Sequence, residues 1–226
     1  MKLKKIASLM LAGVMAVSML SACGEGSGNG NGNEDENKPV ETVSNAVTYA
    51  NDMLDSDMKE YVNFISSTAL DGWAAKYTTD TGKFTAENIF DAYNTATTVY
   101  NSYRDEMLDQ LVSDLRDAKI LVTTGVLSTM PADKVSQSKP VVYVLSGKMD
   151  EKSAVEAAAT ALGDWAFGNT VNCPKTLTDN DTVYNCDYSV EINAVKVTND
   201  SLNGESAWVI SMVINQKVTK AANVQV

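Results

Sequence analysis

Apolar positions recur every three or four residues through the first half of the chain and every second residue through the last third. That change of period separates a helical part from a strand part. The longest regular stripe is Ile89, Tyr93, Ala96, Tyr100, Tyr103, Met107, Leu111 and Leu115. It predicts one helix of about eight turns over residues 86–117. Thr85 suits its N-cap, and Phe84 and Ile89 are spaced for a hydrophobic staple. Asp105, Glu106, Asp109, Asp114 and Asp117 line the opposite, solvated face. Upstream, Val43 to Ile65 reads as helical but interrupted at Asp55-Ser56-Asp57. Val43, Val47, Ala50, Met53 and Leu54 form one stripe there, and Tyr61, Phe64 and Ile65 continue the apolar character beyond the break. Leu70 to Tyr77, which carries Trp73, adds a short helix, and Thr78 to Gly82 reads as a turn.

The second half has a different texture. Lys119 to Thr124 and Pro140 to Leu145 are β-branched and strand-like, with a polar loop at 128–139 between them. Asp150 caps a predicted helix over 151–167 that buries Val155, Ala158, Ala159, Leu162 and Ala166 and ends at Gly168. Val183 to Thr198 and Glu205 to Thr219 flank a polar turn ending in Asn203-Gly204, the preferred pair for a type I′ hairpin. On the last strand Trp208, Ile210, Met212 and Ile214 point one way, and Val209 and Val213 the other. Such a strand is covered on both faces, by the protein itself or partly by a partner. Helices first, then β, β, α, β, β, predict an α+β fold: an antiparallel sheet with helices packed on one face.

The N-terminal segment follows neither period. Lys2, Lys4 and Lys5 precede an apolar run, Ile6 to Leu20, of about 15 residues, short of the roughly 20 needed to span a bilayer. The run closes on Leu20-Ser21-Ala22-Cys23-Gly24. This layout has the form of an export signal, and Leu-Ser-Ala-Cys resembles the lipobox of bacterial lipoproteins. The resemblance covers about the first tenth of the chain. It implies a signal peptide over 1–22, cleavage before Cys23, a diacylglycerol on the Cys23 thiol and residence on the extracytoplasmic face of the cell membrane. Residues 23–41 are rich in Gly, Asn and acids and predict a flexible tether with a reach of roughly 20–25 Å, in the style of Gram-positive lipoproteins. One folded domain is expected over 42–226, large enough to bury a real core and short for two α/β lobes.

Charge and composition narrow the function classes. Losing three lysines with the signal leaves 15 basic against 29 acidic residues, a net charge of −14. That argues against nucleic acid and against basic contacts with anionic lipid. The absence of histidine removes Ser-His-Asp and Cys-His catalysis and His-ligated zinc. With Cys23 lipidated, Cys173 and Cys186 form an even pair, and a disulfide is expected between them. It would close a loop of about 14 residues and contribute roughly 3 kcal/mol.

No motif in the folded part specifies chemistry. Ser136-Gln137-Ser138-Lys139 and Ser56-Asp57-Met58-Lys59 match S-x-x-K, but the companion motifs of the penicillin-binding and β-lactamase families are absent. Asp179-Asn180-Asp181 begins like a calcium loop but continues with Val183. The 199–204 turn has Ile210 where a loop of that kind needs Glu. Asp105 and Asp109 lie one turn apart on a single helix face, whereas glycosidase carboxylates flank a cleft from opposite sides. Trp73, Trp165 and Trp208 are candidate ligand-binding rings, with core packing as the competing role. No catalytic residue, cofactor or metal is predicted. The sequence reads as a lipid-anchored, non-catalytic binding or structural module of the cell envelope, with a glycan, a peptide or another protein as partner. Two other readings are an envelope hydrolase or transferase using carboxylates or a Ser/Lys pair, and an accessory lipoprotein of a transport or secretion complex.

Overall fold

The structure is a computed structural model that describes residues 44–79, 84–95, 102–121, 126–167, 172–198 and 204–222. Every element described lies within one unit, Thr42–Val226. The described helices are α1 (Ala46–Asp52), α2 (Thr68–Thr79), α3 (Ala86–Asn94), α4 (Ser102–Asp117) and α5 (Glu151–Ala166). The described strands are β1 (Val62–Ser66), β2 (Ser136–Ser146), β3 (Thr176–Asp179), β4 (Thr182–Thr198) and β5 (Ser206–Lys220). The fold is α+β around one mixed sheet ordered β1-β4-β5-β2, with β3 beside the first residues of β4. β4 and β5 form the expected long hairpin, paired from Thr198↔Ser206 to Tyr184↔Lys220.

The helices cover both faces of this sheet, not one. Side chains alternate along each strand. Tyr188, Val190 and Ile192 of β4 and Ile210, Met212 and Ile214 of β5 pack with α1 and α5. Val209 and Val213 of β5 and Val142 and Val144 of β2 pack with α2, α3 and α4. The two-sided apolar pattern of β5 is therefore satisfied within the chain, since Ser206 to Ile214 are all buried. α5 matches its expected bounds closely: Asp150 accepts a 2.7 Å hydrogen bond from the Ser153 N–H, and Val155, Ala158, Ala159, Leu162 and Ala166 are buried.

Further sequence expectations are corrected. The sheet is not wholly antiparallel, because β1 runs parallel to β4, pairing Val62 with Tyr188 through Ser66 with Ile192. β1 occupies residues expected to continue a helix. Val62 and Phe64 are buried and Asn63 is exposed, a period of two too short to stand out beside the apolar stripe before it. The strand is also recruited from outside itself. The Asn51 side chain, at the end of α1, accepts from the Phe64 N–H at 2.9 Å and donates to the Phe64 carbonyl at 2.9 Å. One amide thus stands in for a neighbouring strand on the outer edge of β1.

The predicted 86–117 helix is two helices. Thr85 caps α3 as expected, with Thr85 Oγ1 accepting from the Asn88 N–H at 3.3 Å and Asn88 Oδ1 accepting from the Thr85 N–H at 2.9 Å. α3 ends at Asn94, however, because Thr95 is extended (φ −94°, ψ 129°). Ile89, Met107, Leu111 and Leu115 are buried on one side as the stripe requires. Ala96 and Tyr100 lie outside the described residues.

The β order is corrected too. Of the expected strand 119–124, Lys119 lies in the turn that ends α4 at φ 57°, Ile120 and Leu121 belong to no strand, and 122–124 lie outside the described residues. β2 begins at Ser136, inside the expected loop. β3 was not anticipated. It pairs with β4 through a tight turn in which Asn180 (φ 47°) and Asp181 (φ 63°) both have positive φ, the geometry of a type I′ hairpin. The segment resembling the start of a calcium loop is this turn, and its Asp179 accepts a 2.6 Å hydrogen bond from Lys134 Nζ. Of the turn expected at 78–82, Thr78 and Thr79 instead end α2, and 80–82 lie outside the described residues, as do the 199–203 part of the expected hairpin turn and Gly168.

Candidate functional site

Cys23 lies outside the described residues. Cys173 and Cys186 are free thiols, which corrects the expected disulfide. Both are buried in the cluster between α5 and the sheet, where they pack as small apolar side chains. Burial pushes the Cys173 thiol up to about 12 and raises that of Cys186. A buried thiol that remains protonated is a poor nucleophile. In the Cys23→Ala protein, native Cys173 and Cys186 should therefore resist a thiol reagent at about pH 8. Both should react in guanidinium without reductant. Absence of free thiol after unfolding would contradict the unpaired state.

The three tryptophans do not converge. Trp73 (4% exposed) packs beneath α2, stacked on Tyr77 at 5.2 Å. Trp208 (8%) belongs to the opposite face and donates from Nε1 to the Met149 carbonyl at 3.0 Å. Both are core residues. Trp165 on α5 is 38% exposed, but the Lys139 ammonium lies over its ring at 4.9 Å.

The Ser/Lys motif also separates. On a strand, residues three apart face opposite ways. Ser136 shares a face with α2–α4, whereas Lys139 points to Trp165 on the α1/α5 side. Ser56 and Lys59 are both exposed around a 3-10 turn. Asp105 and Asp109 are exposed on α4. Among the described residues, no three His, Cys, Asp or Glu side chains gather as a metal site.

The sheet brings together a different set. On the α2–α4 side, apolar cover ends at Val213, and the last two rows of side chains are polar. Strand register aligns Ser138, Asn215, Ser189 and Asn63 across β2, β5, β4 and β1. The next row holds Ser136, Lys217 and Asp187. These residues and Val135 line an open trough of about 500 Å³. Four strands at about 4.8 Å spacing make the row of four roughly 14 Å wide.

Hydrogen bonds fix one end of this row. Ser138 Oγ donates to Asn215 Oδ1 at 2.7 Å, and Asn215 Nδ2 donates to Glu191 Oε1 at 3.0 Å. The other Glu191 oxygen accepts from the Ser67 hydroxyl, and Ser67 Oγ accepts a long 3.4 Å contact from the Leu70 N–H in the first turn of α2. Ser138 is 3% exposed and Ser67 8%, so these groups are set in place rather than solvated. Asn63 is exposed and Ser189 half-buried, and their side chains face the trough. The Ser138 hydroxyl is aimed at an amide oxygen, which cannot serve as a base, so the geometry orients that serine without activating it.

The reverse side of the same strands is held by a buried polar cluster. Gln137 Nε2 donates to Gln216 Oε1 at 2.7 Å and to the Thr129 carbonyl at 2.8 Å. Gln216 Nε2 donates to the Leu127 carbonyl and to the Tyr188 hydroxyl, both at 2.7 Å, and that hydroxyl donates to the Pro174 carbonyl at 2.8 Å. Burial raises the Tyr188 hydroxyl well above its ordinary value, keeping its proton in place. The cluster ties β2, β4 and β5 to the 126–131 loop directly behind the trough.

Sequence reasoning did not single out Asn63, Ser138, Ser189, Glu191 or Asn215. The available signal was the abrupt change in β5 from Met212-Val213-Ile214 to Asn215-Gln216-Lys217. Comparison with known protein families, characterised proteins and solved structures finds no significant match to this chain.

Proposed function

We propose that the protein is a lipid-anchored, extracytoplasmic binding module of the cell envelope, without catalytic activity, and that the polar trough is its binding surface. The observation that carries the binding role is the trough itself. Helices cover the rest of that sheet face, while its last rows present aligned hydroxyl and amide groups around about 500 Å³ of open space. Sites of this size use a few well-placed polar groups to orient a ligand. The anchor rests on Leu20-Ser21-Ala22-Cys23, where one diacylglycerol supplies two chains of buried methylenes, enough for durable attachment. Against the hydrolase reading stand the opposed directions of Ser136 and Lys139 and the exposure of Asp105 and Asp109 on one helix.

Each half has its own test. Cys23→Ala should move the protein from the membrane fraction to the medium, or leave it unprocessed. Unchanged processing and membrane attachment would overturn the anchor. Titration of isotope-labelled protein with envelope glycan, wall-peptide and membrane-protein fractions should shift the backbone amides of Asn63, Ser189 and Asn215. Shifts confined to other surfaces would overturn the trough as the binding surface.

A further inference from the structure

We propose that the trough takes a short neutral oligosaccharide, recognised through its hydroxyl groups. This rests on the reading of the protein as a binding module and names the class of its ligand. The central row, Ser138, Asn215, Ser189 and Asn63, is neutral from end to end and consists only of hydroxyls and carboxamides. Each of these groups both donates and accepts, as does a sugar hydroxyl, so either partner can turn to satisfy the other. The row below holds one charge of each sign, Asp187 and Lys217, directly opposite one another in register.

The hydrogen-bond chain from Ser138 through Asn215 to Glu191 gives the row a direction. Both Asn215 groups are held by protein partners, each with capacity left for one more bond. Glu191 is held from two sides, so the carboxylate is a fixed acceptor at the end of the chain. Pre-set polar groups lose little conformational freedom when a ligand arrives. A peptide fits less well. Extended peptides gain specificity by placing alternate side chains in apolar pockets beside a free strand edge. Here the floor is the flat of the sheet, and among the described residues Val135 is the one large exposed apolar side chain lining the trough.

The test uses the full chain, isotope-labelled, titrated with chitotetraose, cellotetraose and maltotetraose. A galacturonate tetramer and a neutral tetrapeptide serve as comparators. At least one neutral sugar should give saturable amide shifts centred on Asn63, Ser189 and Asn215. The double variant Asn63→Ala/Ser189→Ala, whose changes lie on exposed or half-buried positions, should weaken that binding tenfold or more with an unchanged melting temperature. If the double variant unfolds, Asn63→Ala alone supplies the same comparison. No saturable response to any neutral sugar, equal affinity in the variant, or preference for the galacturonate or the peptide would overturn the proposal. A peptide response centred on the trough would overturn the sugar assignment and leave the binding module standing. Silence of the trough toward these probes and the envelope fractions alike would remove both.

Discussion

Gly147→Ala should destabilise the protein by about 3 kcal/mol, the upper part of the usual range for forcing an extra methyl into a packed site. Gly147 follows β2 and donates its N–H to the Ser206 carbonyl at 2.8 Å. A Cβ at this position would lie 2.2 Å from that same oxygen and 2.2 Å from Ser206 Oγ. The obstacle is backbone at the start of β5, so a rotamer change cannot relieve it. The strands must separate where Ser146 pairs with Ala207. For a domain of this size each kcal/mol lowers the melting temperature by roughly 2–4 °C, so a loss of about 6–12 °C is expected in thermal unfolding. Gly72 lies on the exposed side of α2, where an added Cβ would meet nothing within 4 Å beyond its own stretch of helix. Gly72→Ala should therefore stabilise by up to about 1 kcal/mol through helix propensity. Equal effects at the two positions would show that the close approach at Ser206 relaxes at little cost.

Gln216→Leu should cost about 2–4 kcal/mol although it nearly preserves side-chain volume, because it strips partners from several buried polar groups at once. Gln216 is 1% exposed. Its loss removes the acceptor for Gln137 Nε2 and the donors to the Leu127 carbonyl and the Tyr188 hydroxyl. Gln137 keeps the Thr129 carbonyl, so the deficit concentrates on Leu127. Denaturant unfolding should report the global loss, and hydrogen exchange should quicken first around 126–131. Tyr188→Phe should be milder, about 1 kcal/mol, since Gln216 keeps the Leu127 carbonyl and the hydroxyl's other partners are the Pro174 carbonyl and the weakly bonding Cys186 thiol. The double variant should fall short of the sum, as expected for residues in one network. Full additivity would mean that the two glutamine contacts and the tyrosine act independently.

Much of this fold was legible because its strongest signals are local. Asp150 with the 151–167 stripe and Thr85 as the N-cap of the next helix stripe are short-range devices that act wherever the chain places them. The long β4–β5 hairpin was legible for the same reason. β1 was not, since what makes Val62–Ser66 a strand is parallel pairing with Tyr188–Ile192 and the Asn51 amide, neither of which leaves a mark in the five residues themselves. The break after Asn94 was hidden by an apolar stripe that continues in phase across it. The two cysteines were read through their compartment, whereas burial lets each pack as an apolar residue without a bond. The trough escaped because it is a property of register. Asn63, Ser138, Ser189 and Asn215 are far apart in the chain and individually unremarked, and only the pairing of four strands lines them up.

The single amide at Asn51 has a consequence for life on a crowded surface. Under the proposed lipid anchor, copies of the domain would share a thin layer, where local concentration favours contacts that dilute solution would not populate. An open strand margin in that layer is an invitation to join sheet to sheet. Phe64 has its outward N–H and C=O already spent on Asn51, so β1 has no vacancy to offer at its centre. One side chain at the end of a seven-residue helix thereby closes the middle of an otherwise open strand margin.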